Sequence, residues 1–266
     1  MNLDSIFEAN KLLWNEKADK HFHSDFYKND QFLKGLNSLN AMELDFLGNI
    51  SGKKILHLQC HFGQDTLSMA RMGAKTFGLD FSENAIKLAQ EMNESLKLDA
   101  TFVCANVYDA LEIIKERNFD IVFASYGAII WLNDLQKWAN ICAEFLKENG
   151  ELILAEFHPT LYLLNFESGK IEYPYFNSGY IEELVQKSYT GEDLEKVKAE
   201  YFCQHSLDEI FSAILQAGLN IEKFKELDYS YYNCFSNMKQ LEKDKYVFEF
   251  LNHSFPYIFG LKAIKK

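Results

Sequence analysis

The sequence predicts an α/β fold: a mostly parallel sheet with helices on both faces. Three observations carry that prediction. Between about residues 53 and 157, short apolar runs alternate with amphipathic segments of helical period. The stretch ILHLQCHFGQDTLSMA, residues 55–70, reads as a strand, a loop and a helix start, the unit that opens a nucleotide-binding sheet. About twenty residues on, the second run ends TFGLD, placing Asp80 where a carboxylate can accept from both hydroxyls of a ribose.

Taken in order, the strand candidates are KKILHL, KTFGL, ATFVC, FDIVFA and ELILAEF. Asp65 is placed to cap a helix beginning at Thr66 and stopping at Gly73, because a short acidic side chain can accept from free first-turn amides. Ser82 is placed likewise before a helix that carries Ala85, Ile86, Ala89 and Met92. A later helix sets Leu135, Trp138, Cys142, Phe145 and Leu146 on one stripe and is expected to end at Asn149-Gly150.

Two regions flank this core. Residues 1–50 read as an aromatic-rich helical cap, and 51–266 as the main domain, with an antiparallel, tyrosine-rich insertion at about 158–203. In HSLDEIFSAILQAGL, Ser206 and Glu209 suit a capping box, and Gly218 a helix stop. LNIEKFKEL and FPYIFGLKAIKK supply two further strands.

Composition narrows the partners. With 27 basic against 39 acidic residues the net charge is −12, which disfavours nucleic-acid phosphates and anionic membranes. A content of 48% apolar and 15% aromatic residues is ample for a packed core. The five cysteines are widely spaced with no C-x-x-C pair, as expected of reduced thiols, and no signal peptide or membrane-length run is seen. A cytoplasmic protein is expected, its oligomeric state left open.

The loop admits several ligands. In a dinucleotide fold a glycine lets the backbone touch the pyrophosphate; here that place is His61, whose side chain would fill the space. A cofactor without phosphate, such as S-adenosylmethionine, tolerates side chains there, so NAD is the weaker reading. Asp80 fits either cofactor, or simply a helix-start carboxylate favoured by the dipole. A metal held by His57, Cys60 and His61, or by His21 and His23, lacks a second ligand group of suitable spacing. Cys60 as a nucleophile has no assignable partner and reads better as a small buried residue.

The chain from ILHLQCHFGQDTLSMARMGAKTFGLDFSENAIKLA onward resembles class I S-adenosylmethionine-dependent methyltransferases, with further matches in FVCANVYDA, FDIVFASYGAIIWLNDLQKWA, ENGELILAEFHP and QHSLDEIFSAILQAGL. It looks most like a bacterial subgroup with an LQCHFG loop and an EFHP motif. The resemblance spans roughly residues 50–225 and implies a Rossmann-like, seven-stranded, mostly parallel sheet whose last strand is antiparallel. It implies that Gln59, Cys60, His61 and Gly63 hold the methionine part of the cofactor and that Asp80 takes the ribose. Phe81, Ala105, Asn106 and Val107 would surround the adenine, with the Asn106 amide oxygen as acceptor for its amino group. Ser125, Tyr126 and Gly127 would lie under the methionine and face the acceptor.

Methyl transfer needs chiefly alignment, with a base only where the acceptor loses a proton as it attacks. His158 and then Glu156, at the end of the fifth strand, are the candidate bases, and Tyr126 a candidate orienting group. Trp14, Phe26, Tyr27, Tyr173, Tyr175 and Tyr180 suggest a lid over a small or flat organic acceptor, or equally the packed underside of that lid. An NAD-type oxidoreductase and a non-catalytic cofactor-binding regulator are the competing functions.

Overall fold

The structure, a computed structural model, describes residues 2–251 and 255–266. The N-terminal region forms α1 (Leu3–His23), α2 (Asn29–Leu33) and α3 (Ala41–Leu47). The alternating unit follows as β1 (Lys54–Leu58), α4 (Gln64–Arg71), β2 (Lys75–Asp80), α5 (Glu83–Leu96), β3 (Ala100–Cys104), α6 (Ala110–Ile113), β4 (Phe119–Ser125), α7 (Leu135–Phe145) and β5 (Leu146–Phe157). Then come the hairpin β6 (Ile181–Lys187) and β7 (Asp193–Phe202), α8 (Leu207–Gln216), β8 (Leu219–Leu227), a second hairpin β9 (Met238–Glu242) and β10 (Lys245–Phe248), and β11 (Ile258–Lys265).

Seven strands make one sheet in the order β3-β2-β1-β4-β5-β11-β8. The first five are parallel, and β11, the last strand of the chain, is antiparallel to both neighbours, as expected. The order reverses at β1 and β4, so the loops after β1, β2 and β4 open onto one crevice. One apolar layer joins Leu56, Val122, Trp138, Phe145 and Phe259. The other joins Ile55, Ile121, Phe123 and Ile153 to Met42 and Phe46 of α3, so α3 packs on the sheet, while Phe32 of α2 packs with Leu67 of α4 and Ile86 of α5 and Asn10, Trp14 and Lys17 of α1 line the crevice.

Three local expectations are corrected. Gly63, with φ of 78°, caps α4, and the helix starts at Gln64. Asp65 therefore lies within the first turn, and its carboxylate turns away from the helix to accept from the Ser38 and Ser125 hydroxyls. Helix α7 stops at Phe145, because Leu146 already pairs with Phe119 and the ladder shifts register between Phe119 and Ile121. At α8, Ser206 does accept from the Glu209 amide at 3.2 Å, but the Glu209 carboxylate lies 3.0 Å from His205 Nδ1, so the box is not reciprocal. Such a box does form at α3, between Asn40 and Glu43.

Glu43 is 1% exposed, and burial pushes its carboxyl up to about 7. The neutral acid is therefore the form the fold favours. Its contribution is complete below the ordinary value of 4.5 and is lost as pH rises through about 7. Glu43→Gln should match the parent near the lower limit and exceed it by up to about 3 kcal/mol near pH 8, read from urea midpoints at both pH values.

Candidate active site

The loop after β1 solves a backbone problem without most of the usual glycines. Gln59, His61 and Gly63 all take left-handed φ, at 56°, 52° and 78°. Such a conformation costs a non-glycine residue about 1–2 kcal/mol. The two side chains are used in return. Gln59 Nε2 donates to Ala128 O at 2.7 Å, tying the loop to the segment after β4. His61 packs edge-on against Trp14 at 5.5 Å, and its Nε2 is 3.0 Å from Nδ1 of the fully buried His21. Burial, then Lys17, pushes His61 down to about 3, so the imidazole is neutral. Gly63 has no latitude either, since a Cβ there would lie 2.6 Å from the Phe102 ring.

Asp80 ends β2 with its carboxylate fixed from two sides, by the His61 amide at 2.8 Å and the Ser82 amide at 2.9 Å. Burial raises its pKa to about 6, against the pull of those amides. After β4, Tyr126 takes φ of 31° and Gly127 of 72°. Glu156, at the end of β5 and wholly buried, fixes this turn: its carboxylate accepts from the amides of Gly127, Ala128 at 2.8 Å and Ile129 at 3.2 Å.

These loops open on a cavity of about 1720 Å³. That exceeds the roughly 300–1,000 Å³ typical of a single small-ligand pocket, so it has room for two reactants. Every residue expected around a cofactor lines it: Gln59, Cys60, His61, Gly63, Asp80, Phe81, Ala105, Asn106, Val107, Ser125 and Tyr126, with Gly127. Trp14, Phe26, Tyr27 and Tyr173 line it too.

Four expected residues are placed elsewhere. His158 does not reach the cavity; it is 3% exposed, with Nδ1 accepting from the Thr160 amide and Nε2 2.9 Å from the Glu226 carboxylate. Burial lowers its pKa, opposed by Glu226. Glu156 is likewise withdrawn, its oxygens consumed by backbone amides. Neither side chain faces the cavity, where a base for the acceptor was expected. Tyr175 is engaged by the Leu207 amide, and neither it nor Tyr180 lines the cavity. Asn106 is partly committed, since its side-chain oxygen already accepts from the Tyr108 amide at 3.0 Å.

The metal and nucleophile readings meet the same geometry. His57 Nδ1 pairs with Thr66 Oγ1 at 2.8 Å inside the sheet, whereas His61 faces α1. Among the described residues no three His, Cys, Asp or Glu side chains come together as a metal would require. Cys60 is 4% exposed, and burial first, then Asp80, raises its thiol well above the usual range.

The roof comes from two elements that bind each other. Lys17 of α1, its side chain 6% exposed, reaches Glu200 of β7 at 2.7 Å, and Glu16 pairs with Lys198. Asn10 brackets the Tyr201 backbone, donating to its carbonyl at 2.7 Å and accepting from its amide at 2.9 Å. Trp14 meets Trp131 edge-to-face at 5.3 Å, with the Lys17 ammonium 5.1 Å from the first ring and 5.7 Å from the second. Asn10→Ala would strip both buried Tyr201 groups of their partner. It should cost about 2 kcal/mol, visible as a lower urea midpoint.

Several wall residues were not anticipated from the sequence. Asp65 was read as a cap, and Tyr162, Tyr231, Tyr232 and Phe235 escaped notice although the run YSYYNCF is conspicuously aromatic. The β9–β10 hairpin beside that run was also missed.

The site is therefore a nucleotide-type crevice joined to an aromatic chamber, on a sheet of class I methyltransferase order. Residues 55–150 match the methyltransferase domain family. A phosphoethanolamine N-methyltransferase 1 of Triticum aestivum is 30% identical over 119 residues, 43% of this chain and 24% of that relative. A ubiquinone biosynthesis O-methyltransferase of Ralstonia nicotianae is 26% identical over 148 residues, 54% of this chain and 60% of the relative. The chain thus spans less than two thirds of the length of these relatives. In structure it is similar to an S-adenosylmethionine-dependent methyltransferase from Clostridium acetobutylicum, with TM-score 0.57 and 18% identity over 95% of this chain and 99% of that one. One from Mesorhizobium loti gives 0.57 and 16% over 88% and 100%. No helix among the described residues is long and apolar enough to cross a membrane.

Proposed function

We propose that this protein is an enzyme that transfers the methyl group of S-adenosylmethionine to a small organic acceptor enclosed between the sheet and the α1–β7 roof. The observation that carries this reading is the convergence of the Gln59–Gly63 loop, Asp80 and the Tyr126–Gly127 turn on one cavity within the methyltransferase-domain span. The cavity wall suits the cofactor. Gln59 Oε1 and Trp14 Nε1, on two lining residues, are buried without a partner, and a ligand meets an acceptor and a donor there once these side chains turn toward it. Loss of either bond on burial is costly, so a ligand that supplies both is favoured. When bound, S-adenosylmethionine supplies an already activated methyl group.

In this reading the Gln59–Gly63 loop holds the methionine part and Asp80 the ribose, with Phe81, Ala105, Asn106 and Val107 beside the adenine. Ser125, Tyr126 and Gly127 form the floor on which the acceptor meets the methyl. Trp14, Tyr27 and Tyr173 exclude water above it. The LQCHFG loop and EFHP motif support assignment to the bacterial subgroup that shares them. Five unpaired cysteines support a reducing, cytoplasmic setting, and the acidic balance supports a small molecule over nucleic acid as acceptor.

Calorimetric titration with S-adenosylmethionine and with NAD tests the assignment. Micromolar binding of the first and none of the second is expected. Tight NAD binding without S-adenosylmethionine binding would overturn it in favour of redox chemistry. Release of adenosylhomocysteine from acceptor pools then separates an enzyme from a regulator that only binds the cofactor.

A further inference from the structure

Resting on the methyl-transfer reading, the geometry points to an amine as the acceptor, carried on an apolar, ring-bearing body, with the Asp65 carboxylate as the group that receives its nitrogen. Asp65 lies on the β4 side of the cavity, away from Asp80, and its two oxygens are engaged only by hydroxyls, Ser38 Oγ at 2.6 Å and Ser125 Oγ at 3.1 Å. No ion pair to it forms among the described residues, and no arginine lines the cavity. Five lysines stand in the wall; Lys17 is held by Glu200, Lys187 by Asp193 and Lys245 by Glu242, and neither Lys28 nor Lys243 forms an ion pair with Asp65. Asp65 is therefore a carboxylate in the cavity wall with no cation paired to it among the described residues, a state that a bound ammonium would relieve.

The surrounding surface fits the same head group. Tyr126 lies 4.9 Å from Tyr232 and 5.4 Å from Phe157, ring to ring, and Tyr27 completes this end of the wall. The charge of Asp65 is felt at the hydroxyls of both Tyr27 and Tyr232, after burial and Tyr189 at the first and after burial and Glu43 at the second. A carboxylate ringed by aromatic faces attracts a cationic nitrogen and the ring that carries it. The same carboxylate repels a phenolate, carboxylate or phosphate acceptor brought to it, since no cation is paired with it.

Charge movement during transfer strengthens the choice. The bound ammonium first gives a proton to water, and the free amine then forms a nitrogen–carbon bond to the methyl while the carbon–sulfur bond breaks with its electron pair left on sulfur. Positive charge thus moves from sulfur to the acceptor nitrogen. A carboxylate on the acceptor side interacts more favourably with the later charge distribution than with the earlier one, which is the condition for lowering the barrier.

Protein saturated with S-adenosylhomocysteine, titrated calorimetrically with phenethylamine, phenylacetate and 2-phenylethanol, tests the assignment. Phenethylamine should bind about tenfold or more tightly than the other two, and Asp65→Asn should abolish that preference while adenosylhomocysteine affinity is kept. Binding of phenylacetate or 2-phenylethanol as tight as that of the amine, no amine binding at all, or an undiminished preference in Asp65→Asn would each overturn it. Failure of the unmodified protein to bind adenosylhomocysteine would instead remove the methyl-transfer reading beneath it.

Discussion

Replacing Asp80 with alanine is expected to weaken S-adenosylmethionine binding by about 100-fold or more, while the protein stays folded. Two hydrogen bonds from ribose hydroxyls to a carboxylate are each of the charged kind, worth about 1.5–3 kcal/mol, and a hundredfold loss corresponds to about 2.8 kcal/mol. The carboxylate is already oriented by the His61 and Ser82 amides, so little of that bonding is spent on ordering the side chain. Its removal also leaves the His61 amide without a partner, which loosens the left-handed turn that carries Gln59. Asp80→Asn keeps one acceptor oxygen and should fall between. Titration calorimetry with S-adenosylmethionine reads the affinity, and the urea midpoint reads the fold. An affinity within threefold of the parent would show that the ribose is held elsewhere.

The second large effect concerns stability. Glu156→Ala should destabilise the protein by about 3–5 kcal/mol, because the buried amides of Gly127, Ala128 and Ile129 lose their acceptor together. Glu156→Gln keeps the volume and one oxygen and should cost clearly less. Since Gln59 bonds to the carbonyl of Ala128, the loop after β1 loses its tether to the turn after β4 when that turn relaxes. Cofactor affinity should therefore fall along with the thermal midpoint in Glu156→Ala. A variant that loses neither would show the turn to be fixed by its own backbone. The loss of function expected here is that of a scaffold, since the carboxylate has no free oxygen left for an acceptor.

The parallel sheet was legible because its signal is local: apolar runs such as ILHL and DIVFA and caps such as Ser82 need no knowledge of the rest of the chain. The gathering of these strand-end residues around one cavity was legible for the same reason, since they lie at the ends of neighbouring strands. The two candidate bases illustrate where this stops. His158 and Glu156 were placed at the correct end of β5, but their direction depends on Glu226 of β8 and on the turn at Gly127, partners 68 and 29 residues away in sequence. Asp65 shows the converse. A carboxylate next to a helix start reads as a cap, and only the packing of Ser38 and Ser125 against it turns it into the cavity. Likewise YSYYNCF lies far from the loop it faces, and its part in the wall becomes visible only when β8 and β11 bring it back over β4.

The seam between the roof and the sheet carries its own optical label. Trp14 belongs to the helix that covers the cavity and Trp131 to the segment after β4, and one ammonium, that of Lys17, lies close to both rings. The third tryptophan, Trp138, is sealed in the core and stays constant. Asn10 and Lys17 fasten α1 to β7, while Lys11, Asn15 and Asp19 fasten it to the start of α5. Emission from the indole pair reports any change in the distance between α1 and the segment after β4. Stopped-flow emission from the unmodified chain can follow opening and closing directly, without a dye.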